Sequence, residues 1–175
     1  MEAKRNRNAK LISVDPRFHR TAAVSDAYVG IRVGSDIAFL GGLIHHADSL
    51  VAITNPTVNS YKRINAPRTI SGATWAPNTV TFGGNNRTHM VRIPDAGRTE
   101  FRLPDNAANP YLMMAGILAA GMHGIEAKMD PGKRLDIDMY SLGHTVKDAK
   151  KLPLNMLDGL RNFEKLLNNS PQSDE

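Results

Sequence analysis

The chain has no cysteine in its 175 residues, which excludes disulfides, thiolate metal sites and cysteine nucleophiles and suits a reducing compartment. It has no long hydrophobic run. The longest apolar stretch, residues 111–122, falls short of the roughly twenty residues a bilayer span needs, and the basic N-terminus lacks the apolar core of a signal peptide. A cytoplasmic protein with no membrane partner is therefore expected. Aromatic residues are scarce at 6%, and only Tyr61, Trp75 and Phe82 lie near the central positive charges. With no nucleic-acid-binding motif in view, this argues against nucleic acid despite a sequence pI near 9.6.

The sequence holds enough apolar material for one domain with a core. A chain this long buries roughly 70% of its unfolded surface, and contents of 41% apolar and 22% charged residues are ordinary for a globular protein. The net charge of +5 is unevenly spread. Residues 51–110 hold seven lysines and arginines against three carboxylates, and Lys4, Arg5, Arg7 and Lys10 form a second cluster.

Residues 55–63 (NPTVNSYKR) and 85–105 (NNRTHMVRIPDAGRTEFRLPD) carry most of the information. They set Arg63, Arg87, Arg92, Arg98 and Arg102 around one glutamate, Glu100, among aliphatic residues. Arginine is always charged and presents donors in a rigid fork that fits phosphate and carboxylate. Arginines converging in this number repel one another unless a polyanion lies between them.

The pattern of the remainder suggests an α+β fold. Residues 10–15 and 27–33 read as short strands, the second closed by Gly34. Ser35 and Asp36 then cap one helix running to about Ile53, with Ile37, Leu40, Leu43, Ile44, Ala47, Leu50 and Val51 at three-and-four spacing. Asn109 followed by Pro110 starts a second helix, apolar nearly all round and so expected to be covered on two sides. Residues 130–146 read as irregular, residues 155–167 as an amphipathic helix, and residues 168–175 as a polar tail.

Between these helices the period changes to two. Residues 90–93 and 99–103 alternate and flank Pro94-Asp95-Ala96-Gly97, a turn sequence. In the resulting hairpin Val91, Ile93, Phe101 and Leu103 take one face, and Arg92, Glu100 and Arg102 share the other. The alternation alone describes a charged site and a solvated outer face equally well. His45 and His46, about 100° apart on a helix, are expected at a polar edge, and His89, His123 and His144 have no partner at ligand spacing.

The segments TNPTVNSYKR, NNRTHMVRIP, RTEFRLPD, AANPYL and AAGMHGI resemble, in order and near-family spacing, the C-terminal part of the glutamine synthetase catalytic domain, over about residues 43–165. The segment NSYKRINAPRTISGATWAPNTVT is similar to the type III branch, whose members join glutamate to ammonia or an alkylamine. Residues 1–44 instead resemble a segment of the formate dehydrogenase α-chain, a molybdopterin oxidoreductase, through VDPR at 14–17 and GSD at 34–36. There Asp15 and Asp36 would contact a guanine nucleotide; in this chain Asp36 is expected to cap its helix instead. The resemblance thus divides the chain into residues 1–44, a catalytic-domain fragment at 45–167 and the tail at 168–175. It implies a partial antiparallel sheet covered by helices at 36–53, 110–128 and 155–167, with a short N-terminal βα segment.

By the same resemblance, the chemistry is ATP-dependent ligation of glutamate with an amine. Arg63 and Arg102 would hold glutamate. Arg87 and Arg92 would meet the ATP phosphates and the transferring phosphoryl group, as the catalytic pair, and Arg98 the nucleotide side. Glu100 would be one ligand of Mg²⁺ or Mn²⁺. The family's other metal-ligating glutamates and histidine precede the matched block, and Asn65 stands near the position of a flap glutamate. The expectation is a fragment that keeps an ATP-phosphate and glutamate arginine cluster without ligating autonomously, and that associates with itself or with intact synthetase subunits. The alternatives are a non-catalytic interaction or regulatory protein and, further off, a molybdopterin-dependent oxidoreductase fragment.

Overall fold

The computed structural model describes residues 4, 6, 9–64, 66, 76–95 and 98–169. Arg5, Arg7, Asn65, Arg68, Trp75, the Ala96–Gly97 half of the expected turn and residues 170–175 lie outside the described residues. Two short sheets and a stack of helices make up the rest, an α+β arrangement.

At the N-terminus, β1 (Ile12–Asp15) pairs in parallel with β2 (Ala27–Gly30), with a single helical turn, α1 (Arg20–Ala23), between them. The two strands therefore pair with each other, and the second ends three residues earlier than its apolar run suggests.

The helix expected over 36–53 is two helices. α2 (Ser35–His45) and α3 (Ala47–Thr54) meet at His46 with a 72° bend. The N-cap of α2 is Gly34, at φ +86, a conformation that favours glycine; Ser35 and Asp36 lie inside the first turn, so Asp36 is not the cap. The bend gives each half its own partner. α2 packs on α5 (Pro110–Glu126), and α3 packs mainly on α6 (Met156–Asn169). The α2–α5 contact is a close backbone approach, since a Cβ on Gly42 would strike the carbonyl of Ala120 and the backbone of Gly124. No single helix among the described residues is long and apolar enough to cross a membrane.

α5 begins as its sequence indicates, with the Asn109 side chain accepting from the N–H groups of Tyr111 and Leu112 and with Pro110 in the first turn. It is not covered on two sides. Ala120, Gly121 and Gly124 are buried against α2, whereas Tyr111 is 74% exposed and Leu112 58%. α6 extends past its expected end and takes in the first two residues assigned to the tail.

A helix the sequence pattern did not announce, α4 (Val58–Ile64), follows Asn55-Pro56. Thr57 and Ser60 cap it reciprocally: Ser60 N–H donates to Thr57 Oγ1 and Thr57 N–H to Ser60 Oγ, each at 3.2 Å. Tyr61 seats α4 beneath α6, where Gly159 leaves room for its hydroxyl. That hydroxyl is buried, with no partner among the described residues, and burial pushes its pKa up to about 12.

The central sheet has the order β3 (Phe82–Gly83), β4 (Val91–Asp95), β5 (Arg98–Phe101). The hairpin of β4 and β5 is antiparallel as expected, but β3 runs parallel to β4, so the sheet is mixed. Met90, Val91 and Leu103, all fully buried, join Leu50, Val51, Tyr61 and Ile64 in one core that ties the sheet to α3 and α4.

Candidate functional site

The hairpin register sets Arg92 directly opposite Glu100, and alternation brings Arg102 to the same face. Side chains complete the arrangement. Arg92 Nη1 lies 2.7 Å from Glu100 Oε2, and Arg102 Nε lies 3.0 Å from Glu100 Oε1. One carboxylate thus bridges two arginines whose side chains are only 15% and 13% exposed. Burial works to raise the Glu100 pKa, but hydrogen bonds and charge from Arg92 and Arg102 outweigh it and hold the group below its usual value. Burial pushes the Arg102 pKa down, Glu100 opposes that shift, and Arg63 adds to it. The guanidinium of Arg63 therefore lies within electrostatic range of Arg102.

Two loops fix this face. Arg92 Nε donates to Asn85 Oδ1 at 2.9 Å, and Arg102 Nη1 donates to the carbonyl of Arg87. The Arg87 loop is braced from beneath by Asn86, whose amide donates to the Ile137 carbonyl at 2.9 Å, and by Thr88, whose hydroxyl accepts from Met139 N–H. His89 is wholly buried between Thr81 Oγ1 (3.0 Å) and the Ile137 carbonyl (3.1 Å). The carbonyl only accepts, so Nε2 carries the proton and Nδ1 receives the Thr81 hydroxyl. Burial lowers the His89 pKa and keeps the ring neutral. Asn85 and Thr88 were not legible as site residues, because their partners are distant in sequence or on the next element.

Arg63 arrives from α4. Asn55, at the end of α3, donates through Nδ2 to the Leu103 carbonyl at 3.1 Å, and Asp105 N–H donates to the Thr54 carbonyl. These bonds bring the start of α4 beside the end of the hairpin. Arg63 then lines a pocket of about 360 Å³ with Pro104, Asp105, Asn106 and Ala107. Its Nη1 is buried and has no hydrogen-bond partner among the described residues. An orphaned, permanently charged donor at a pocket wall is suited to an anionic group.

The other two arginines differ. Arg87 and Arg98 are exposed, and neither guanidinium makes an ion pair among the described residues. Arg98 stands opposite Asp95 in the register, on the same side of β5 as Glu100.

By the resemblance, Glu100 would be one ligand of a divalent metal. Both of its oxygens face guanidiniums, and no group of three histidine, aspartate or glutamate side chains suited to a metal ion occurs among the described residues. Hard divalent cations take six or more oxygen ligands, so these residues do not by themselves fit Mg²⁺ or Mn²⁺. The arginines do fit phosphate and carboxylate. Elsewhere, His123 does have a partner: its Nδ1 lies 2.8 Å from Nε2 of His46 at the α2–α3 bend. His45 contacts the Asp130 carbonyl.

The family model described as the glutamine synthetase catalytic domain matches residues 33–168. The chain is 68% identical to a glutamine synthetase of Rhizobium meliloti over 127 residues, 73% of this chain and 29% of that protein. It is 46% identical to the glutamate–methylamine ligase of Methyloversatilis universalis over 127 residues, 71% of this chain and 28% of that one. Among solved structures, a GmaS–ADP complex superposes with a TM-score of 0.70 at 70% identity, covering 75% of this chain and 30% of that one. Apo GmaS gives 0.67 at 65% identity. The chain spans under a third of the length of these relatives.

Proposed function

The chain belongs to the glutamine synthetase catalytic-domain family, and on that premise we propose that its arginine face is the anion-binding half of an ATP-dependent glutamate–amine ligase site. The observation that carries this reading is the convergence of Arg92 and Arg102 on one carboxylate, with Arg63 and its unpartnered Nη1 alongside. Arg87, Arg92 and Arg98 take nucleotide phosphates, the first two lying nearest the transferring phosphoryl group. Arg63 and Arg102 take glutamate. Asp105, in the same pocket as Arg63, supplies an acceptor for an ammonium group, so the pocket offers one charge for each end of an amino acid. The resemblance of the chain to a protein solved with ADP supports the nucleotide assignment.

Within the described residues the arginines have no matching set of carboxylates, and a phosphoryl transfer between two anions needs its charge neutralised on both sides. The isolated chain therefore binds ATP or phosphate without joining glutamate to an amine. A divalent metal would supply that neutralisation only with ligands from outside the described residues beside Glu100.

Exposed apolar residues favour a second, compatible role as an interaction partner. Tyr111 and Leu112 on α5, with Leu157, Leu160 and Leu167 on α6, are 47–74% exposed. Their burial against intact synthetase subunits or another copy of the chain would be favourable. Residues 1–44 are a segment of separate origin on this reading. The start of the family match at residue 33 and the self-contained β1–β2 sheet support that for residues 1–32.

The test is γ-glutamyl hydroxamate formation by the purified chain with ATP and Mg²⁺ or Mn²⁺, beside thermal-shift titration with ATP. We expect stabilisation by ATP without turnover. Robust turnover would overturn the non-autonomous reading, and no stabilisation at millimolar ATP would overturn the anion site.

A further inference from the structure

We infer that Glu100 is the built-in counter-ion of the arginine face in this chain, and that the face takes a metal-free phosphoryl anion in competition with Glu100. The inference rests on the anion-binding reading above and goes on to name the form of ligand and the group that regulates its access.

The geometry of one carboxylate carries it. Each Glu100 oxygen is committed to a different guanidinium, Oε2 to Arg92 at 2.7 Å and Oε1 to Arg102 at 3.0 Å. A divalent cation at either oxygen would lie close to two fixed positive charges, with no other carboxylate or imidazole cluster among the described residues to offset them. The carboxylate is 36% exposed, while its two arginine partners are the more buried members of the trio. Glu100 therefore neutralises guanidiniums that are partly withdrawn from water, the role an anionic ligand would otherwise take.

Charge balance then selects the ligand. Arg63, Arg87 and Arg98 remain without an ion pair among the described residues, so the face keeps excess positive charge after Glu100 is counted. A bare polyphosphate brings its full negative charge to these donors. A magnesium-complexed one arrives with part of that charge already spent and with a cation that the face repels. Glu100 occupies Arg92 Nη1 and Arg102 Nε, donors that a tetrahedral anion would also use, so ligand and carboxylate compete for them. The charge of Glu100 thus sets a threshold: it offsets part of the charge on Arg92 and Arg102 when the face is empty, and it yields only to an anion carrying several charges.

The experiment is calorimetric titration of the chain with inorganic triphosphate, in EDTA and in excess Mg²⁺, for the wild type and Glu100→Gln. We expect binding in EDTA, weaker binding in Mg²⁺, and about tenfold tighter metal-free binding by Glu100→Gln. Binding that requires Mg²⁺, or that Glu100→Gln weakens while the variant keeps the wild-type far-ultraviolet circular dichroism, overturns the counter-ion role and leaves the anion site standing. The wild-type comparison of EDTA with Mg²⁺ decides the matter even if the variant fails to fold. Absence of triphosphate binding in every condition overturns the anion site and this inference together.

Discussion

The side-chain amide of Asn55 donates to the backbone carbonyl of Leu103 at 3.1 Å, with both residues fully buried. This bond ties the end of α3 to the strand extension carrying Arg102, and so sets the distance between Arg63 and the hairpin. Thr54 Oγ1 leans on the same amide through Asn55 Oδ1 at 2.8 Å. Asn55→Ala leaves a buried carbonyl unpaired, which costs about 1–3 kcal/mol. Urea denaturation should show that loss, and glutamate or phosphate binding through Arg63 should weaken with it.

Gly42→Ala tests the packing of α2 on α5. The new methyl group would meet the Ala120 carbonyl and the Gly124 backbone, neither of which moves as a flexible side chain does. Overpacking of this kind costs about 1–3 kcal/mol or more, and the melting temperature should fall accordingly. An unchanged melting temperature would show that the two helices do not approach this closely.

Stability should depend on pH through two histidines. Burial lowers the pKa of His89; burial first, then His123 and His45, lowers that of His46. Each ring is harder to protonate in the folded chain than in the unfolded chain, where the ordinary value is 6.5. Below that value the unfolded state binds more protons, so stability falls with falling pH. The urea midpoint should drop between about pH 7.5 and about pH 5.5, and His46→Gln should flatten part of the drop. A midpoint that rises on acidification would contradict the sign.

Arg92 and Arg98 should separate structure from surface. Arg92 holds Asn85 and Glu100, so Arg92→Ala should cost about 1.5–3 kcal/mol of stability as charge-assisted hydrogen bonds are lost. Arg98 is exposed and unpaired among the described residues, and Arg98→Ala should stay within about 0.5 kcal/mol of wild type. Paired melts of the two variants check both values.

The charged face of the hairpin was legible because a two-residue period assigns side chains to sides, but the Arg92–Glu100 pairing was not. Regular pairing from Asp95–Arg98 would set Ile93 opposite Glu100, and a register shift between Arg92 and Asp95 brings Arg92 there instead. The start of α5 was legible because Asn109 and Pro110 state it locally. The bend at His46 was not, since the apolar spacing continues unbroken from Leu43 to Val51 and the bend shows only in which helix each half meets. Helix α4 hid behind Asn55-Pro56 and spans only seven residues, although Thr57 and Ser60 carried a capping signal. Phe82–Gly83 is too short to show a period, so its parallel pairing with β4 had no signature in the sequence. The Asn85–Arg92 and Asn55–Leu103 bonds depend on loop closure, which local pattern does not encode.

The most direct test of the arginine face is calorimetric binding of ATP to the purified chain at low and high salt, set beside the Arg87→Ala/Arg92→Ala double variant. The account predicts binding that weakens as salt rises and is lost in the double variant, with the chain still folded by circular dichroism. Salt-independent binding, or binding retained by the double variant, would contradict it.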